Sequence, residues 1–480
     1  MAEIVRPSLR LRPSEQRVVL LLGDLLASVT AMFGALEFWR RYSLYQLVAA
    51  GMPPNRAERI LDIPVPIWFY LLPLVWILLM IELYEPHSAA NWGRTLRGIA
   101  GAAILGLLGY SVVFTVNLDP NSLPRIAVGA FLLIASFLTL AWRALYIRLY
   151  TTSGMMRRVL VLGAGKAGQT LAAVYSKLKP PPFTLVGFVD DDVQKRGKLY
   201  QGLRVLGSTV GLVDTIDQYH VSDLVISITG EIGGAAFQRV LDAQERGVEI
   251  TRMPILYEEM TGRVPVHHLE SDWVIRSFVD DVRVSGIYEL LKRLMDLLGA
   301  FVGLLILAVT LPLTAGATIL DSGLPILYSQ LRFGKANSRF RIYKFRTMKK
   351  DAEAEGEVRV TEEKDPRVTT VGRFLRRTHL DELPQFWSVL RGEMSLVGPR
   401  AERPELIQIY ERQIPFYRAR FLVKPGLTGW AQINHGYAST VYDTVVKLEY
   451  DLYYIKHRSL WMDMRIVLRT IGTVMGLRGR

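Results

Sequence analysis

The 480-residue chain is 50% hydrophobic and only 21% charged, a composition that excludes intrinsic disorder and coiled coil. It contains no cysteine, which excludes disulfides, thiolate metal sites and cysteine nucleophiles. The net charge is +13, and residues 321–480 hold +10 of it, with 28 Lys and Arg against 18 Asp and Glu. This excess indicates an anionic partner for the C-terminal third, whether lipid head groups, phosphorylated substrates or nucleic acid.

Four apolar runs fill the first 150 residues, at positions 18–36, 63–84, 98–118 and 126–147. Each is about 20 residues long, the length a helix needs to cross the hydrocarbon core of a bilayer. We therefore predict a bundle of four transmembrane helices over residues 1–150. The alternative is a set of buried helices in a large soluble domain.

Arginines surround this region and bear on its orientation. They precede the first run and end the fourth, at Arg6, Arg10, Arg12, Arg17, Arg143, Arg148, Arg157 and Arg158. The positive-inside rule then predicts that both ends of the bundle face the cytoplasm. Four arginines in the first outside loop oppose this orientation: Arg40, Arg41, Arg56 and Arg59.

Residues 156–280 show the pattern of a Rossmann-like α/β domain. An apolar strand runs into Gly163, Gly165 and Gly168, and a second strand ends at Asp190. Glycines so spaced favour a close approach to pyrophosphate, and the acid suits a ribose hydroxyl. The Tyr-x-x-x-Lys pair that a sugar dehydratase needs occurs in this domain only at Tyr175 on the first helix, away from the expected substrate edge. A structural or regulatory domain is favoured, and bound nucleotide is left open.

A fifth apolar run, at about 294–320, contains Pro312. Proline bends or breaks a helix because it lacks an N–H group and clashes with the preceding turn. We predict a bend at Pro312 and a re-entrant helix that returns to the cytoplasmic face. The alternative is a straight crossing, which would place the basic segment outside the cell.

The basic C-terminal third carries motifs in which Gly and Pro stand beside charged groups. They are KFRTM at 344–348, LDELPQ at 380–385, MSLVGPR at 394–400 and KPGLTGW at 424–430. Pro384 favours a helix that begins at Asp381 and Glu382, where the helix dipole and nearby arginines stabilise a carboxylate. An ionised Asp381 can attack phosphorus while its neighbour helps to hold Mg²⁺. The alternative is that Asp381 only caps the helix.

Residues 283–480 resemble the bacterial sugar transferase family, the polyprenol-phosphate phosphoglycosyl transferases, on the strength of these four motifs in order. The resemblance implies a re-entrant helix with a mainly helical α+β catalytic domain over 286–480. It also implies transfer of a sugar 1-phosphate from a UDP-sugar to undecaprenyl phosphate at the bacterial inner membrane, with the catalytic domain in the cytoplasm and with Mg²⁺ as cofactor.

The resemblance also implies residue roles. Asp381 would be the nucleophile that takes the phosphosugar and releases UMP, and Glu382, with Asp381, would hold Mg²⁺. Phosphate and nucleotide contacts are assigned to Lys344, Arg346, Arg376, Arg400 and Thr428. The chain departs from the family pattern at Leu311, before the proline of the re-entrant helix. It also departs at Ser388 and Ala401, which bears on sugar or base contacts more than on the core reaction.

Two rival functions are kept. One is a membrane-anchored NAD-dependent nucleotide-sugar dehydratase or epimerase that uses the Gly163 loop, and the other is a non-enzymatic scaffold for polysaccharide export. We expect membrane lipids and a second copy of the chain, as a homodimer, among the partners. Nucleic acid is not expected, because no recognised reader motif is present.

Overall fold

The computed structural model describes residues 13–61, 65–84, 91–116, 125–150, 156–179, 181–269, 277–278, 285–349, 365–436 and 440–475. The chain forms two compact units. The first contains Met1–Ile226 and Gly233–Ile250, and the second contains Ser227–Ile232 and Thr251–Arg480.

The first unit begins with a series of helices. They are α1 (Pro13–Ala49), α2 (Pro54–Leu61), α3 (Leu72–Leu79), α4 (Trp92–Val116) and α5 (Arg125–Tyr150). All of these but α2 are apolar. By length and composition, α1, α4 and α5 can each cross a membrane. Three of the four predicted runs therefore form long apolar helices. Arg6, Arg10 and Arg12 lie outside the described residues.

The second predicted run differs from the other three because it is divided. A 3₁₀ helix (Ile67–Leu71) leads into α3, and another 3₁₀ helix (Ile81–Tyr84) follows it. Pro73 lies in the first turn of α3, where a residue without an N–H group is tolerated. The apolar helical stretch Ile67–Leu79 is about 20 Å long, short of the ~30 Å hydrocarbon core. A fourth spanning helix in this bundle is not confirmed.

One arginine counted as a flanking cation lies inside the bundle instead. The side chain of Arg143 on α5 is fully buried, and its Nη2 atom is 2.6 Å from Oδ2 of Asp24 on α1. Its Nη1 donates to the backbone oxygen of Leu83 at 2.8 Å. Arg143 therefore joins three segments of the bundle rather than marking a membrane face.

The predicted α/β sheet is confirmed. Its strands are β1 (Arg158–Leu162), β2 (Thr184–Val189), β3 (Leu199–Tyr200), β4 (Leu203–Gly207), β5 (Asp223–Ile226) and β6 (Glu249–Arg252). The order is β3-β4-β2-β1-β5-β6, and the pairings of β1 with β2, β1 with β5 and β2 with β4 are parallel. The accompanying helices are α6 (Lys166–Tyr175), α7 (Leu212–Tyr219) and α8 (Gly234–Glu245).

The second unit is mainly helical. After α9 (Met253–Thr261) and α10 (Gly286–Ser322), a hairpin of β7 (Leu327–Phe333) and β8 (Arg339–Phe345) precedes α11 (Thr370–Thr378) and α12 (Phe386–Arg391). The remaining elements are β9 (Ser395–Val397), α13 (Pro404–Gln413), β10 (Gly426–Thr428), α14 (Trp430–Asn434), α15 (Val441–His457) and α16 (Leu460–Met475).

Helix α10 is the fifth apolar run, and it is long and apolar enough to cross a membrane. It continues as one helix through Pro312. At 37 residues it is about 55 Å long, which exceeds the ~30 Å hydrocarbon core. The re-entrant path stays a prediction.

The main core of the second unit lies among α15, α16 and the segments around them. Trp430, Tyr454 and Ile466 are buried there, together with Val264 and Val266 from the segment that follows α9. Helix α16 contributes Ile466 and the buried Asp463, so it packs as a core helix on that face. Val264 and Val266 fall within the predicted 156–280 domain, yet they pack in the C-terminal unit.

Candidate active site

The two acidic residues of the LDELPQ motif lie in a 3₁₀ helix, Leu380–Gln385, between α11 and α12. His379 ends α11 in a left-handed conformation, with φ at 58°, and turns the chain into this helix. The backbone N–H of Glu382 then donates to the oxygen of His379 at 3.2 Å. Asp381 is buried, with 7% of its surface exposed. Both carboxylates therefore stand at the start of a helical segment, as predicted.

Two cations converge on Glu382. The Nζ atom of Lys344, from the end of β8, lies 2.6 Å from Oε1 of Glu382. The Nη2 atom of Arg400 lies 3.0 Å from the same oxygen. Three separate motifs of the sequence, 344–348, 380–385 and 394–400, therefore meet at one carboxylate.

Glycines bring the motifs at 394–400 and 424–430 together. Strands β9 and β10 pair in parallel, and Arg400, which follows β9, bridges to Gly426 at the start of β10. A Cβ atom added at Gly426 would collide with the backbone of Gly398, and one added at Gly398 would collide with the oxygen of Lys424. Only glycine permits this approach of two backbones. The approach fixes the position from which Arg400 reaches Glu382.

The adjacent carboxylates have pKa values that move in opposite directions. Burial and the charge of Glu382 raise the pKa of Asp381 to about 6, against the lowering effect of Lys344, Arg376 and Arg400. Burial also disfavours charge on Glu382, but the cations of Lys344 and Arg400 outweigh it and hold its pKa below the usual range. Glu382 is thus charged throughout the neutral pH range, whereas the pKa of Asp381 lies just below that range.

Arg376 reaches the site from α11. Its Nε donates to Oγ1 of Thr347 at 2.8 Å, and its charge lowers the pKa of Asp381. Helix α11 can approach Thr347 because Gly372 faces it, where a Cβ atom would collide with the Thr347 backbone. The structure therefore brings together Lys344, Arg376, Asp381, Glu382 and Arg400.

Two residues predicted to contact phosphate, Arg346 and Thr428, form their hydrogen bonds with groups other than Asp381 and Glu382. The guanidinium of Arg346 donates to the backbone oxygens of Ser322 and Gly323 at the end of α10. Thr428 shares a hydrogen bond of 2.7 Å with Thr470 on α16. Their side chains hold elements of the unit together.

The loop predicted to bind a nucleotide in the α/β domain forms a hydrogen bond with Asp190 of the same domain. Gly163 has a positive φ of 105°, as a tight turn requires, and Gly165 precedes α6, which contains Gly168. Oδ2 of Asp190 accepts from the N–H of Ala164 at 2.7 Å and from Nζ of Lys195 at 3.0 Å. The acid predicted for a ribose hydroxyl is therefore engaged by the loop itself, and nucleotide binding here stays a prediction.

Arg400 is supported by residues that no sequence motif indicates. Arg420 donates through Nη2 to the backbone oxygen of Arg400 at 3.1 Å. It also forms a buried ion pair of 2.9 Å with Asp451 on α15. Arg420 is near Arg400 only in the folded chain, so no local sequence pattern could have indicated this support.

In the described part of the site, the carboxylates next to each other are those of Asp381 and Glu382. Among the residues that the structure describes, no group of three or more His, Asp or Glu could hold a metal ion. Mg²⁺ commonly takes one or two carboxylates and completes its shell with phosphate and water oxygens. Asp381 and Glu382 fit that requirement when a substrate supplies phosphate.

Residues 287–477 match the family described as "Bacterial sugar transferase". The exopolysaccharide production protein PSS of Rhizobium leguminosarum bv. phaseoli is 39% identical over 186 residues, which cover 38% of this chain and 93% of that protein. The chain belongs to the bacterial sugar transferase family.

Two longer relatives of this bacterial sugar transferase have names that state an activity. A UDP-N-acetylgalactosamine-undecaprenyl-phosphate N-acetylgalactosaminephosphotransferase of Aeromonas hydrophila is 43% identical over 218 residues, 45% of this chain and 50% of that protein. An undecaprenyl-phosphate glucose phosphotransferase of Komagataeibacter xylinus is 36% identical over 330 residues, 67% of this chain and 59% of that protein. The match thus spans between half and three fifths of these relatives, whose names give two different sugars.

Proposed function

We propose that the protein transfers a sugar 1-phosphate from a UDP-sugar to undecaprenyl phosphate and releases UMP. The observation that carries the proposal is the buried Asp381, next to a Glu382 whose charge is balanced by Lys344 and Arg400. Family membership and the activities named for the relatives support the same reaction class.

In the first step an oxygen of ionised Asp381 attacks the phosphorus that bears the sugar. A bond forms between that oxygen and phosphorus, and the bond from phosphorus to the bridging oxygen breaks. The electron pair leaves with UMP. Burial and the nearby charge of Glu382 disfavour the carboxylate form of Asp381. Forming the acyl phosphate removes the charge of that carboxylate, and the negative charge that the phosphoryl group keeps faces the neighbouring cations.

In the second step an oxygen of undecaprenyl phosphate attacks the same phosphorus. The Asp381–phosphorus bond breaks, the carboxylate is restored, and a lipid diphosphate sugar results. One nucleophile thus serves a soluble donor and a membrane acceptor in turn, so the two substrates need not be bound together. Ping-pong kinetics follow from this order.

The cations next to the carboxylates stabilise charge on the phosphoryl group. Lys344 and Arg400 already approach an acidic oxygen at 2.6 and 3.0 Å, and Arg376 lies near enough to lower the pKa of Asp381. Fixed cations in a buried site act strongly on charge that develops in the transition state. We further propose that Asp381 and Glu382 hold Mg²⁺ with the substrate phosphates, which would neutralise phosphate charge when bound.

We place the protein in the bacterial inner membrane with this site facing the cytoplasm, where nucleotide sugars are found. Four described helices are long and apolar enough to cross a membrane, which supports the membrane assignment. A panel of UDP-sugars identifies the donor, because the names of the two relatives described above give different sugars.

The test uses full-length protein in vesicles that contain undecaprenyl phosphate, with labelled UDP-glucose, UDP-galactose and their N-acetylated forms. Asp381→Asn should lower both UMP release and lipid product about 10³-fold or more. The matched control is Glu405→Gln, an exposed carboxylate in the first turn of α13, which should keep wild-type rates.

Normal turnover in Asp381→Asn would rule out the proposed chemistry. Activity that is lost on changing Gly165 but kept without Asp381 would favour a dehydratase that uses the α/β domain. Unchanged polymer production in cells that carry Asp381→Asn would favour a scaffold.

A further inference from the structure

Arg346 lies two residues after Lys344, and its side chain reaches the end of α10. The Nη2 atom donates to the backbone oxygen of Ser322 at 2.6 Å and also to the oxygen of Gly323. Its Nε atom lies 3.3 Å from Oγ of Ser322. With only 8% of its surface exposed, Arg346 is buried against this helix end.

The helix terminus explains why an arginine is suited to this place. The last carbonyl groups of a helix have no partner within the helix, and they carry the negative end of its dipole. A guanidinium can donate to several oxygens at once in a fixed planar geometry. Arg346 therefore caps α10 and joins the helix to the end of β8, which carries Lys344.

A second bond joins the same turn of α10 to the other side of the site. Oδ2 of Asp321 accepts from the backbone N–H of Val371 at 2.9 Å. Val371 lies in the first turn of α11, the helix that carries Arg376. The final turn of α10 is thus bonded to two of the three segments that deliver cations to Asp381, those of Lys344 and Arg376.

The contacts inside the site do not use these bonds. Lys344 and Arg400 contact Glu382 directly, and Arg376 contacts Thr347. The site can keep its internal arrangement while its attachment to the end of α10 is loosened. Arg346 and Asp321 hold the C-terminal end of α10 against the site without contacting its carboxylates, while the middle of the helix packs on α12, where Gly303 faces Phe386.

We propose that Arg346, assisted by Asp321, is a positioning residue that sets the place of Asp381 relative to the end of α10, and therefore to the lipid acceptor. The inference rests on the proposed function. A soluble UDP-sugar can follow a displaced site, whereas a phosphate at the membrane surface stays at a fixed depth. The second half-reaction then depends on Arg346 more than the first.

The experiment separates the half-reactions in the full-length protein. Exchange of labelled UMP into the accepted UDP-sugar, without undecaprenyl phosphate, reports only the first. Formation of lipid product in vesicles with undecaprenyl phosphate requires both. Arg346→Lys keeps the charge but loses the planar fork, and it should retain exchange while lipid product formation falls about 10–100-fold with a raised KM for undecaprenyl phosphate.

Two further variants make the test independent of folding. Asp321 is exposed, so Asp321→Ala should fold normally. Like Arg346→Lys, it should retain exchange, and lipid product formation should fall by a smaller factor. Arg341→Lys, at an exposed site on β8, is the control and should leave both rates at wild type.

A parallel fall of exchange and lipid transfer in Arg346→Lys and Asp321→Ala would overturn the inference, and so would wild-type lipid transfer in both. Failure of the proposed function has a different result. In that case the wild-type protein itself shows neither exchange nor lipid product with any UDP-sugar.

Discussion

The Nζ atom of Lys344 lies 2.6 Å from Oε1 of Glu382, and this contact separates the roles of two adjacent carboxylates. Glu382 is held in its charged form by Lys344 and Arg400, so its pKa is lowered although burial opposes this. Asp381 is buried beside that charge, and its pKa is raised to about 6. Neighbouring carboxylates whose pKa values move apart commonly have different tasks. Here the difference supports Glu382 as the group that positions Lys344 and Arg400, and Asp381 as the group that reacts.

The raised pKa of Asp381 predicts that Asp381→Asn stabilises the protein at pH 8. Folding raises this pKa from 3.8 to about 6, so the folded state binds the proton more tightly than the unfolded state. The stability gained from that proton is present below pH 3.8 and is lost as the pH rises through 6. A neutral amide avoids the loss and should add on the order of 1–3 kcal/mol at pH 8. Thermal unfolding of purified protein at pH 8 and pH 4 measures this.

Asp365 provides the opposite case as a control. Hydrogen bonds from the side chain of Arg367 lower its pKa, and the two groups form an ion pair of 2.6 Å. Asp365→Asn should therefore destabilise the protein at pH 8. A loss of stability in both variants would show that the charged carboxylate of Asp381 does not destabilise the folded protein at pH 8.

The same pKa predicts the pH dependence of turnover. If ionised Asp381 is the nucleophile, kcat/KM for the UDP-sugar should fall as the pH drops through about 6. The charge of Arg376 lowers the pKa of Asp381, so Arg376→Gln should move this acid limb upward by about one unit. Arg376→Lys keeps the charge and should leave the limb in place. An acid limb that does not move in Arg376→Gln would assign it to another group.

The family resemblance allowed the members of this site to be predicted, although not their contacts with one another. Lys344, Asp381, Glu382 and Arg400 stand in short motifs whose residue types suit phosphate chemistry, and the structure brings them together. Arg346 shares the strand-like alternation of Lys344, but its partners depend on where α10 ends. Hydropathy does not determine the last residue of that helix. Long-range contacts of this kind have no local pattern.

The membrane region shows a similar limit. Hydropathy sums the side chains of residues 63–84 and indicates a span, but the sum does not register that the helical stretch there is short, from Ile67 to Leu79. Arg143 looks like a flanking cation because it lies near the end of an apolar run. Its partner Asp24 is 119 residues away, so the ion pair could not be inferred from either run alone.

Trp430 joins the catalytic region to a segment that precedes the family match. Its Nε1 donates to the oxygen of Gly262 at 2.9 Å, and its ring stacks on Tyr453. Glu258 on α9 pairs with Lys456 on α15 at 2.9 Å. Val264, in the same segment, is fully buried in the core. Residues 253–268 are therefore part of this folded unit, although the family match begins at residue 287.

These contacts predict that a fragment of residues 251–480 is more stable than one of residues 286–480. The shorter fragment exposes the core surface that Val264 covers, and it removes the acceptor of Trp430. In full-length protein, Trp430→Phe should cost about 1 kcal/mol for the lost hydrogen bond, and Trp430→Ala about 3–5 kcal/mol. Thermal unfolding in a common detergent measures both series. Equal midpoints for the two fragments would contradict the assignment.

The buried pair of Asp24 and Arg143 predicts a specific order among variants of the bundle. Both side chains are fully buried at 2.6 Å from each other. Asp24→Ala or Arg143→Ala leaves one charge buried alone, which typically costs about 3–5 kcal/mol. The double variant Asp24→Leu with Arg143→Met removes both charges and keeps much of the volume, so it should be more stable than either single variant. Thermal unfolding in detergent gives the order, with the exposed Arg41→Gln as control. If the double variant were the least stable of the three, the pair would contribute through packing and the Leu83 hydrogen bond rather than through charge balance.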